Sequence, residues 1–168
     1  MLYFAYGSNL HPARLRDRTP SAQLITTGFT CSRQLVFHKV GRDGSAKCDA
    51  LLAEDPDSTV FGAVFQLDER DISTLDRYEA LGVGYQREIL SVSTATGTLQ
   101  AFAYIAQAQY VDPSLTPFHW YKQLVIAGAK LHQFPKSYIA SIAAVRSTPD
   151  PQLQRATKNL GVLPDFIR

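Results

Sequence analysis

Small polar residues follow the first strand-like segment of the chain. Phe4 and Tyr6 are good strand formers, and a Gly-Ser-Asn run at residues 7–9 comes directly after them. Gly7 allows a tight bend and the close approach of a ligand. Because Pro12 suits the first turn of a helix, a polar group docked at this run would meet unpaired backbone N–H groups. The same spacing also fits a plain strand-to-helix turn without a ligand.

A second candidate is a carboxylate on the apolar face of a predicted helix. Ile72 and Leu75 recur at helical spacing, and Glu79 lies one further turn along, so the three side chains share one face. A carboxylate buried among apolar residues is suited to act as an acid or base near neutral pH. The alternatives are that Glu79 frays outward at the helix end or pairs with Arg87.

The sequence lacks the patterns of nucleophilic or metal catalysis. Ser8 has no Gly-x-Ser-x-Gly context and is expected to form hydrogen bonds rather than to attack a substrate. No phosphate-binding glycine loop occurs, since Gly7 stands alone, and the histidines have no metal-ligand spacing. We therefore expect neither a metal nor a cofactor. The histidines are His11, His38, His119 and His132.

The composition is that of an ordinary globular protein. The 168 residues are 45% hydrophobic and 19% charged, with a formal net charge of +2, and a chain of this length favours one domain with a real core. Arg14, Arg16 and Arg18 form the densest basic run. Asp17 interrupts that run, and one solvated helix face explains it, so no nucleic-acid partner is expected.

Cysteine usage and hydropathy predict the location of the protein. Cys31 and Cys48 have no metal-ligand spacing and are expected to be free thiols in a reducing compartment. No apolar run approaches membrane-span length, and the first residues do not resemble a secretory leader. The expectation is a cytoplasmic protein with no membrane partner. The oligomeric state stays open, a homodimer included.

Hydrophobic periodicity and turn residues predict the elements that position these candidates. Strands are predicted at the N-terminus, as two runs within 24–40, and at 50–53, 60–67, 85–94 and 99–105; helices are predicted at 11–18, at 68–80, after Pro117 and after Pro135. In the helix at 68–80, Asp71 and Asp76 are expected to face solvent. From Ser147 onward, prolines that include Pro164 thin the pattern into a C-terminal tail, for which about one helical turn is predicted.

This order of elements predicts the fold class. Strands outnumber helices, and short turns join several of them. An α+β fold is therefore favoured over a doubly wound parallel sheet: a small, mixed, mostly antiparallel sheet, closed or nearly closed like a β-barrel and flanked by helices. Since no repeat or linker divides the chain, one domain is predicted over 1–168, with 147–168 as its tail.

Three separated motifs occur in a fixed order along the chain. They are Tyr3-Phe4-Ala5-Tyr6-Gly7-Ser8-Asn9-Leu10, then Leu75-Asp76-Arg77-Tyr78-Glu79, then Tyr85 with Arg87. In this order they resemble the motifs of the γ-glutamylcyclotransferase family and its AIG2-like relatives, over nearly the whole chain. The Pro-Phe-His-Trp-Tyr-Lys segment at 117–122, continuing to Gly128-Ala129-Lys130, resembles the C-terminal helix of the γ-glutamylcyclotransferases proper.

The resemblance implies a role for each matching residue. The family's acid/base glutamate is matched by Glu79. Its two tyrosines are matched by Tyr85 and Tyr121, the second with one extra residue in the spacing. It also implies a small mixed α/β structure around a closed or nearly closed sheet. The loop that holds the glutamyl part of the substrate is matched by Tyr6, Gly7, Ser8, Asn9 and Leu10.

The activity implied by the resemblance is the release of 5-oxoproline from γ-glutamyl amino acids or γ-glutamyl amines. The free α-amine attacks the γ-carbonyl of the same molecule, with Glu79 as general acid and base. Two alternatives stay open. One is removal of a γ-glutamyl cap from a larger amine in a specialised biosynthetic pathway, and the other is a non-catalytic γ-glutamyl-binding module of the same fold. Each has a small γ-glutamyl molecule as its partner.

Two departures from the family pattern concern the tyrosines more than Glu79. Family members often have glycine directly after the glutamate, where this chain has Ala80. The bend is therefore expected at Gly82 instead. Trp120 stands beside Tyr121, which leaves open which of the two aromatic rings lines the pocket.

Overall fold

The computed structural model describes residues 1–163. Its elements are β1 Leu2–Ala5, α1 Pro12–Arg18, β2 Gln23–Cys31, β3 Arg33–Val40, β4 Ala46–Leu52, β5 Thr59–Gln66, α2 Glu69–Glu79, β6 Tyr85–Thr94, β7 Gly97–Ala106, α3 His119–Leu131, α4 Lys136–Ala144 and α5 Leu153–Leu160, with short 3-10 turns at Ser8–Leu10 and Ala108–Tyr110. Among these residues no helix has the length and apolar character needed to cross a membrane.

Five strands close into a barrel in the order β1-β5-β2-β6-β7. Neighbouring strands are antiparallel except β1 and β7, which are parallel where Tyr3 pairs with Phe102. Closure removes the exposed edges that an open sheet would present. The predicted α+β class with a closed, mostly antiparallel sheet is thus confirmed. Strands β3 and β4 form a separate two-stranded hairpin.

A single hydrophobic cluster joins the barrel strands to α2 and α3. Its fully buried members include Phe4 of β1, Leu75 of α2 and Leu124 of α3. Helix α3 packs so closely on the 3-10 turn that a Cβ added at Gly128 would overlap the Leu10 side chain. This packing holds the loop after β1 beside the helix that also carries Tyr121.

Most predicted elements lie close to their expected bounds. Strand β6 coincides with the prediction at 85–94, and α2 lies inside the helix predicted at 68–80. The strand predicted at 50–53 is wrong at its start, because β4 begins at Ala46 and pairs along the whole of β3. The polar residues Lys47 and Asp49 hid its hydrophobic pattern.

The segment after Ser147 contains the two-turn helix α5, where the sequence indicated only about one helical turn. The buried carboxylate of Asp150 accepts hydrogen bonds from Trp120 Nε1 at 2.7 Å and from Arg155 Nε and Nη2, both at 2.6 Å. These bonds from Arg155 lower the pKa of Asp150 to about 2. The bond from Trp120 ties the segment to α3. Pro164 and the rest of the predicted tail lie outside the described residues.

Candidate active site

A small cavity of about 30 Å³ lies where the loop after β1, the end of α2 and strand β4 meet. Of the predicted site residues, Leu10 does not line this cavity, because its side chain is fully buried against α3. The structure also brings in Tyr3, Cys48 and Tyr104, which the sequence had not indicated as site residues. The predicted site residues that line the cavity are Tyr6, Gly7, Ser8, Asn9, Glu79, Tyr85 and Tyr121.

The loop after β1 offers backbone N–H groups to this cavity. Strand β1 ends at Ala5, and the following 3-10 turn is closed by a bond from Leu10 N to Gly7 O at 3.0 Å. The first N–H groups of such a turn, those of Ser8 and Asn9, have no acceptor within the turn. A Cβ at Gly7 would lie 3.2 Å from Cys48 Cβ and 3.4 Å from the Tyr121 hydroxyl. The glycine therefore keeps the cavity open.

Glu79 faces inward from the last turn of α2, as its spacing predicted. Its Oε1 accepts hydrogen bonds from Asn9 Nδ2 at 2.9 Å and from Arg18 Nη1 at 3.2 Å. Arg18 Nη1 also donates to Asn9 Oδ1 at 3.0 Å, which closes a triangle of three side chains. The Glu79 side chain is 16% exposed. Within residues 1–163, Oε2 accepts no hydrogen bond and stays available for a proton.

The alternative partner considered for Glu79 is engaged elsewhere. Arg87 Nε donates to Asp76 Oδ1 at 2.9 Å, and its Nη2 pairs with Oδ2 of the same carboxylate. The Tyr104 hydroxyl donates to Asp76 as well, at 2.7 Å. The expectation that Asp76 faces solvent is therefore wrong, because its carboxylate is bound by Arg87 and Tyr104 of the barrel. Asp71 stays partly exposed, as expected, and accepts a hydrogen bond from Ser21 N at 2.9 Å.

The basic run in α1 is also not one solvated face. Arg14 is buried, Arg18 contacts Glu79, and Arg16 alone of the three is exposed. Helix α1 contributes Arg14 and Arg18 to the cleft beside the cavity. The signal in the sequence was their spacing, since residues four apart share one face of a helix.

The turn after Glu79 is made by Ala80 and not by Gly82 alone. Ala80 has φ +54°, in the left-handed region, and Gly82 follows with φ +83°. Leu81 N donates to Asp76 O at 2.9 Å and Ala80 N to Arg77 O at 3.4 Å, the bonding pattern of a Schellman motif. The expectation that the bend moves to Gly82 is therefore only half correct. An alanine holds the conformation for which glycine is usually selected.

The backbone N–H and C=O of one residue of β4, Cys48, position both predicted tyrosines. The Tyr85 hydroxyl donates to Cys48 O at 2.6 Å, and Cys48 N donates to the Tyr121 hydroxyl oxygen at 3.1 Å. The Tyr6 hydroxyl donates to the backbone oxygen of Tyr104. The hydroxyls of Tyr85 and Tyr6 thus have lone pairs left to accept with, while that of Tyr121 has a proton left to donate. The cavity therefore suits a ligand with a cationic group beside an oxygen acceptor.

Burial keeps the polar groups of the cavity uncharged. It raises the pKa of Tyr6, Tyr85 and Tyr121 well above the ordinary range, so each remains a phenol at neutral pH. Burial also raises the pKa of the Cys48 thiol to about 12. A thiol that stays protonated is a poor nucleophile, which makes Glu79 the charged group of the cavity.

A buried carboxylate next to Cys48 anchors the hairpin on the barrel. Asp49 is 1% exposed; its Oδ1 accepts from Ala106 N at 2.8 Å, and its Oδ2 contacts His38 Nε2 at 2.9 Å. These bonds join β4 to the end of β7. They hold the backbone of Cys48 where it can bind the two tyrosines.

The inner cavity opens into a larger outer cleft of about 230 Å³, which shares Ser8, Glu79, Tyr85 and Tyr121 with it. Trp120 lines the outer cleft only, and Tyr121 lines both. Tyr121 is therefore the aromatic residue of that pair that reaches the inner cavity. Charged side chains dominate the outer cleft: Arg14, Arg18, Lys39, Arg42 and Lys47, against Asp43 and Glu79.

This chain combines a five-stranded barrel with a glutamate at a helix end that faces a strand-to-helix loop. Its sequence and fold are similar to those of one class of proteins. Residues 59–142 match the model of the AIG2-like family. A γ-glutamylcyclotransferase of Mus musculus is 30% identical over 148 residues, which cover 86% of this chain and 78% of the mouse protein. A γ-glutamylcyclotransferase of Bos taurus is 30% identical over 141 residues, 82% of this chain and 74% of the bovine protein.

A solved structure described as a gamma-glutamyl cyclotransferase has the same fold. It superposes with a TM-score of 0.80 at 22% identity, over 94% of this chain and 98% of the other. Together with the sequence relatives, this shows that the chain belongs to the γ-glutamylcyclotransferase family. It is an enzyme of that type.

Proposed function

We propose that the enzyme releases 5-oxoproline from γ-glutamyl amino acids or γ-glutamyl amines, with Glu79 as general acid and base. The observation that carries the proposal is the position of Glu79. Its Oε1 is held by Asn9 and Arg18, while Oε2 accepts no hydrogen bond within residues 1–163. The names of the mouse and bovine relatives support the same reaction class.

The reaction needs two proton transfers and no enzyme nucleophile. The α-ammonium of the substrate gives one proton to Glu79, and the freed nitrogen attacks the γ-carbonyl carbon. Glu79 passes this proton to the leaving nitrogen and then takes a second proton from the attacking nitrogen as the new C–N bond forms. The bond from the γ-carbon to the leaving nitrogen breaks, and Glu79 gives the second proton to the departing amine. General acid–base catalysis of this kind is typically worth about 10² to 10⁴ in rate.

The inner cavity supplies groups for the remaining parts of the reaction. The hydroxyl oxygens of Tyr6 and Tyr85 accept from the α-ammonium, and the Tyr121 hydroxyl donates to a substrate oxygen. The N–H groups of Ser8 and Asn9 are further donors for a carboxylate or for the oxyanion that develops on the γ-carbonyl. Holding the substrate folded brings amine and carbonyl together, which can contribute roughly 7 kcal/mol or more.

The test is turnover of γ-glutamyl-alanine in water enriched in oxygen-18. Ring closure predicts equal amounts of alanine and 5-oxoproline, with no label in the 5-oxoproline. Hydrolysis would give labelled glutamate instead and would refute the proposal. Tight binding of γ-glutamyl-alanine without any product would support the non-catalytic binding module.

A further inference from the structure

Lys39 is a buried cation without an anionic partner. It is 5% exposed and lines the outer cleft near the end of β3. Its Nζ lies 4.7 Å from the centre of the Tyr85 ring, and a Cβ at Gly84 would lie 2.8 Å from that nitrogen. Within residues 1–163, Lys39 Nζ forms no hydrogen bond or ion pair. The ammonium group faces the cleft with the Tyr85 ring on one side and no anion paired to it, so an anionic ligand in the cleft would stabilise it.

The two carboxylates that line the cleft are closer to other cations than to Lys39. Glu79 is engaged by Arg18 at 3.2 Å, and Asp43 by Lys47 at 2.8 Å. Lys39 forms an ion pair with neither, and five cationic side chains line the cleft against these two carboxylates.

The remaining two arginines add to this positive charge. Arg14 Nη1 donates to Asn159 Oδ1 at 2.9 Å, and Arg42 Nη2 donates to the backbone oxygen of Arg77 at 3.2 Å. Both acceptors are uncharged. Burial lowers the pKa of Lys39, and nearby Glu79 opposes that shift. The cleft therefore favours an anion.

A local irregularity of the hairpin places Lys39 in the cleft. The β3-β4 register shifts between Phe37 and Lys39, so that Phe37 pairs with Cys48 while Lys39 pairs with Lys47. Bulges of this kind re-aim side chains next to functional sites. Phe37 packs edge-on against Tyr121, and Lys39 lies over Tyr85. Phe37 thus supports a tyrosine of the inner cavity, and Lys39, two residues further on, lines the outer cleft.

We propose that Lys39 binds a carboxylate on the leaving group and so selects γ-glutamyl derivatives of α-amino acids over those of uncharged amines. This inference rests on the proposed function. Since Glu79 protonates the leaving nitrogen from the boundary between cavity and cleft, the group attached to that nitrogen extends into the cleft. In an α-amino acid only one carbon separates this nitrogen from the carboxylate, which is therefore carried towards Lys39.

The experiment compares γ-glutamyl-alanine with γ-glutamyl-alaninamide, which differ only in the charge of the leaving group. Wild-type enzyme should prefer the acid by about 10- to 100-fold in kcat/KM, the range expected for one charge-assisted hydrogen bond. In Lys39→Met this preference should disappear because kcat/KM falls for the acid and stays the same for the amide. Lys39→Arg should retain part of the preference. Lys136→Met, at an exposed lysine that begins α4, is the control and should leave kcat/KM unchanged for both substrates.

The outcomes separate this inference from the proposed function. Equal losses for both substrates in Lys39→Met would assign Lys39 to the common γ-glutamyl part and overturn the inference, while 5-oxoproline release by wild type would leave the function intact. Equal turnover of acid and amide by wild type would also overturn it, whether or not the variant folds. No 5-oxoproline from either substrate would refute both proposals.

Discussion

The inner cavity and the outer cleft share Glu79 and Tyr85 but are built from different chemistry. Around the inner cavity, phenol hydroxyls are tied to backbone groups, as those of Tyr85 and Tyr121 are to Cys48, and burial keeps them neutral. Around the outer cleft, long charged side chains prevail, and Lys39 among them has no anionic partner within residues 1–163.

This difference indicates that the cavity and the cleft recognise different parts of the substrate. Backbone-anchored phenols give a rigid, neutral shape, which suits the glutamyl group that is common to all the proposed substrates. Flexible cations attract charge and tolerate variation in shape, which suits the part of the substrate that varies. Glu79 lies at the boundary, where the bond between the two parts would be broken.

The largest effect is expected where the two regions meet. Glu79→Gln should lower kcat for γ-glutamyl-alanine by about 10² to 10⁴, because the amide cannot take the ammonium proton, while the protein should still melt cooperatively. Glu69→Gln, at an exposed glutamate in the first turn of the same helix, is the matched control. It should leave kcat unchanged, because Glu69 lines neither the cavity nor the cleft. Full activity in Glu79→Gln would remove Glu79 from the mechanism.

An inner-cavity variant should come next in size. Gly7→Ala puts a methyl group 3.2 Å from Cys48 Cβ, so kcat/KM should fall by about 10- to 100-fold through misplacement of the substrate. Steady-state kinetics with the acid and amide substrates should show equal losses, since the glutamyl part is common to both. Gly161→Ala, at a glycine with helical φ of −61°, is the control and should leave kcat/KM unchanged. A loss confined to one substrate would contradict the division between cavity and cleft.

A stability variant tests the support behind the outer cleft. Asp150→Asn removes the charge that Arg155 and Trp120 bind, and should lower the free energy of unfolding at pH 7 by about 2–4 kcal/mol. Because the pKa of Asp150 is lowered from 3.8 to about 2 in the folded protein, this stabilisation is present above pH 4 and is lost as the pH falls towards 2.

Urea unfolding of wild type and Asp150→Asn across this pH range checks the prediction. The difference between the two proteins should shrink as the pH falls from 4 to 2. A difference that stays constant with pH would show that the Asp150 charge is not its source.

The smallest effect is expected at the turn that follows Glu79. Ala80→Gly should raise the free energy of unfolding by up to about 1 kcal/mol, because φ +54° costs an alanine more than a glycine. Gly82→Ala, at φ +83°, should change stability in the opposite direction. Thermal melts of both variants measure the two changes in stability. A stabilised Ala80→Gly with unchanged kcat would show that the left-handed alanine is not needed to aim Glu79.

Local patterns in the sequence were sufficient to predict most of the fold. The alternation at 85–94 and the helical spacing from Asp68 to Ala80 depend only on near neighbours, so β6 and α2 were found close to their bounds. The start of β4 was missed because Lys47 and Asp49 are polar in sequence. Both side chains have partners outside β4. Asp49 binds Ala106 of β7 and His38 of β3, and Lys47 binds Asp43 in the hairpin loop.

The site was predictable in part for the same reason. The inward direction of Glu79 and the polar loop at 7–9 follow from spacing along one element. Which side chain meets which across elements does not follow from spacing, since it depends on how the barrel closes and how the hairpin docks. Arg18, expected in solvent, contacts Glu79, and Arg87 pairs with Asp76 rather than with Glu79.

The sequence by itself determined the order of the elements, the closed-sheet class and the two groups that meet at the cavity, Glu79 and the loop after β1. Only the tertiary structure decided that the backbone N–H and C=O of Cys48 hold the two tyrosines and that Lys39 lies in the cleft without an ion-pair partner among the described residues. The physical reason is the range of the interactions. Periodicity reports which face of an element is buried, whereas partners across the barrel are set by closure and register, which join residues far apart in the chain.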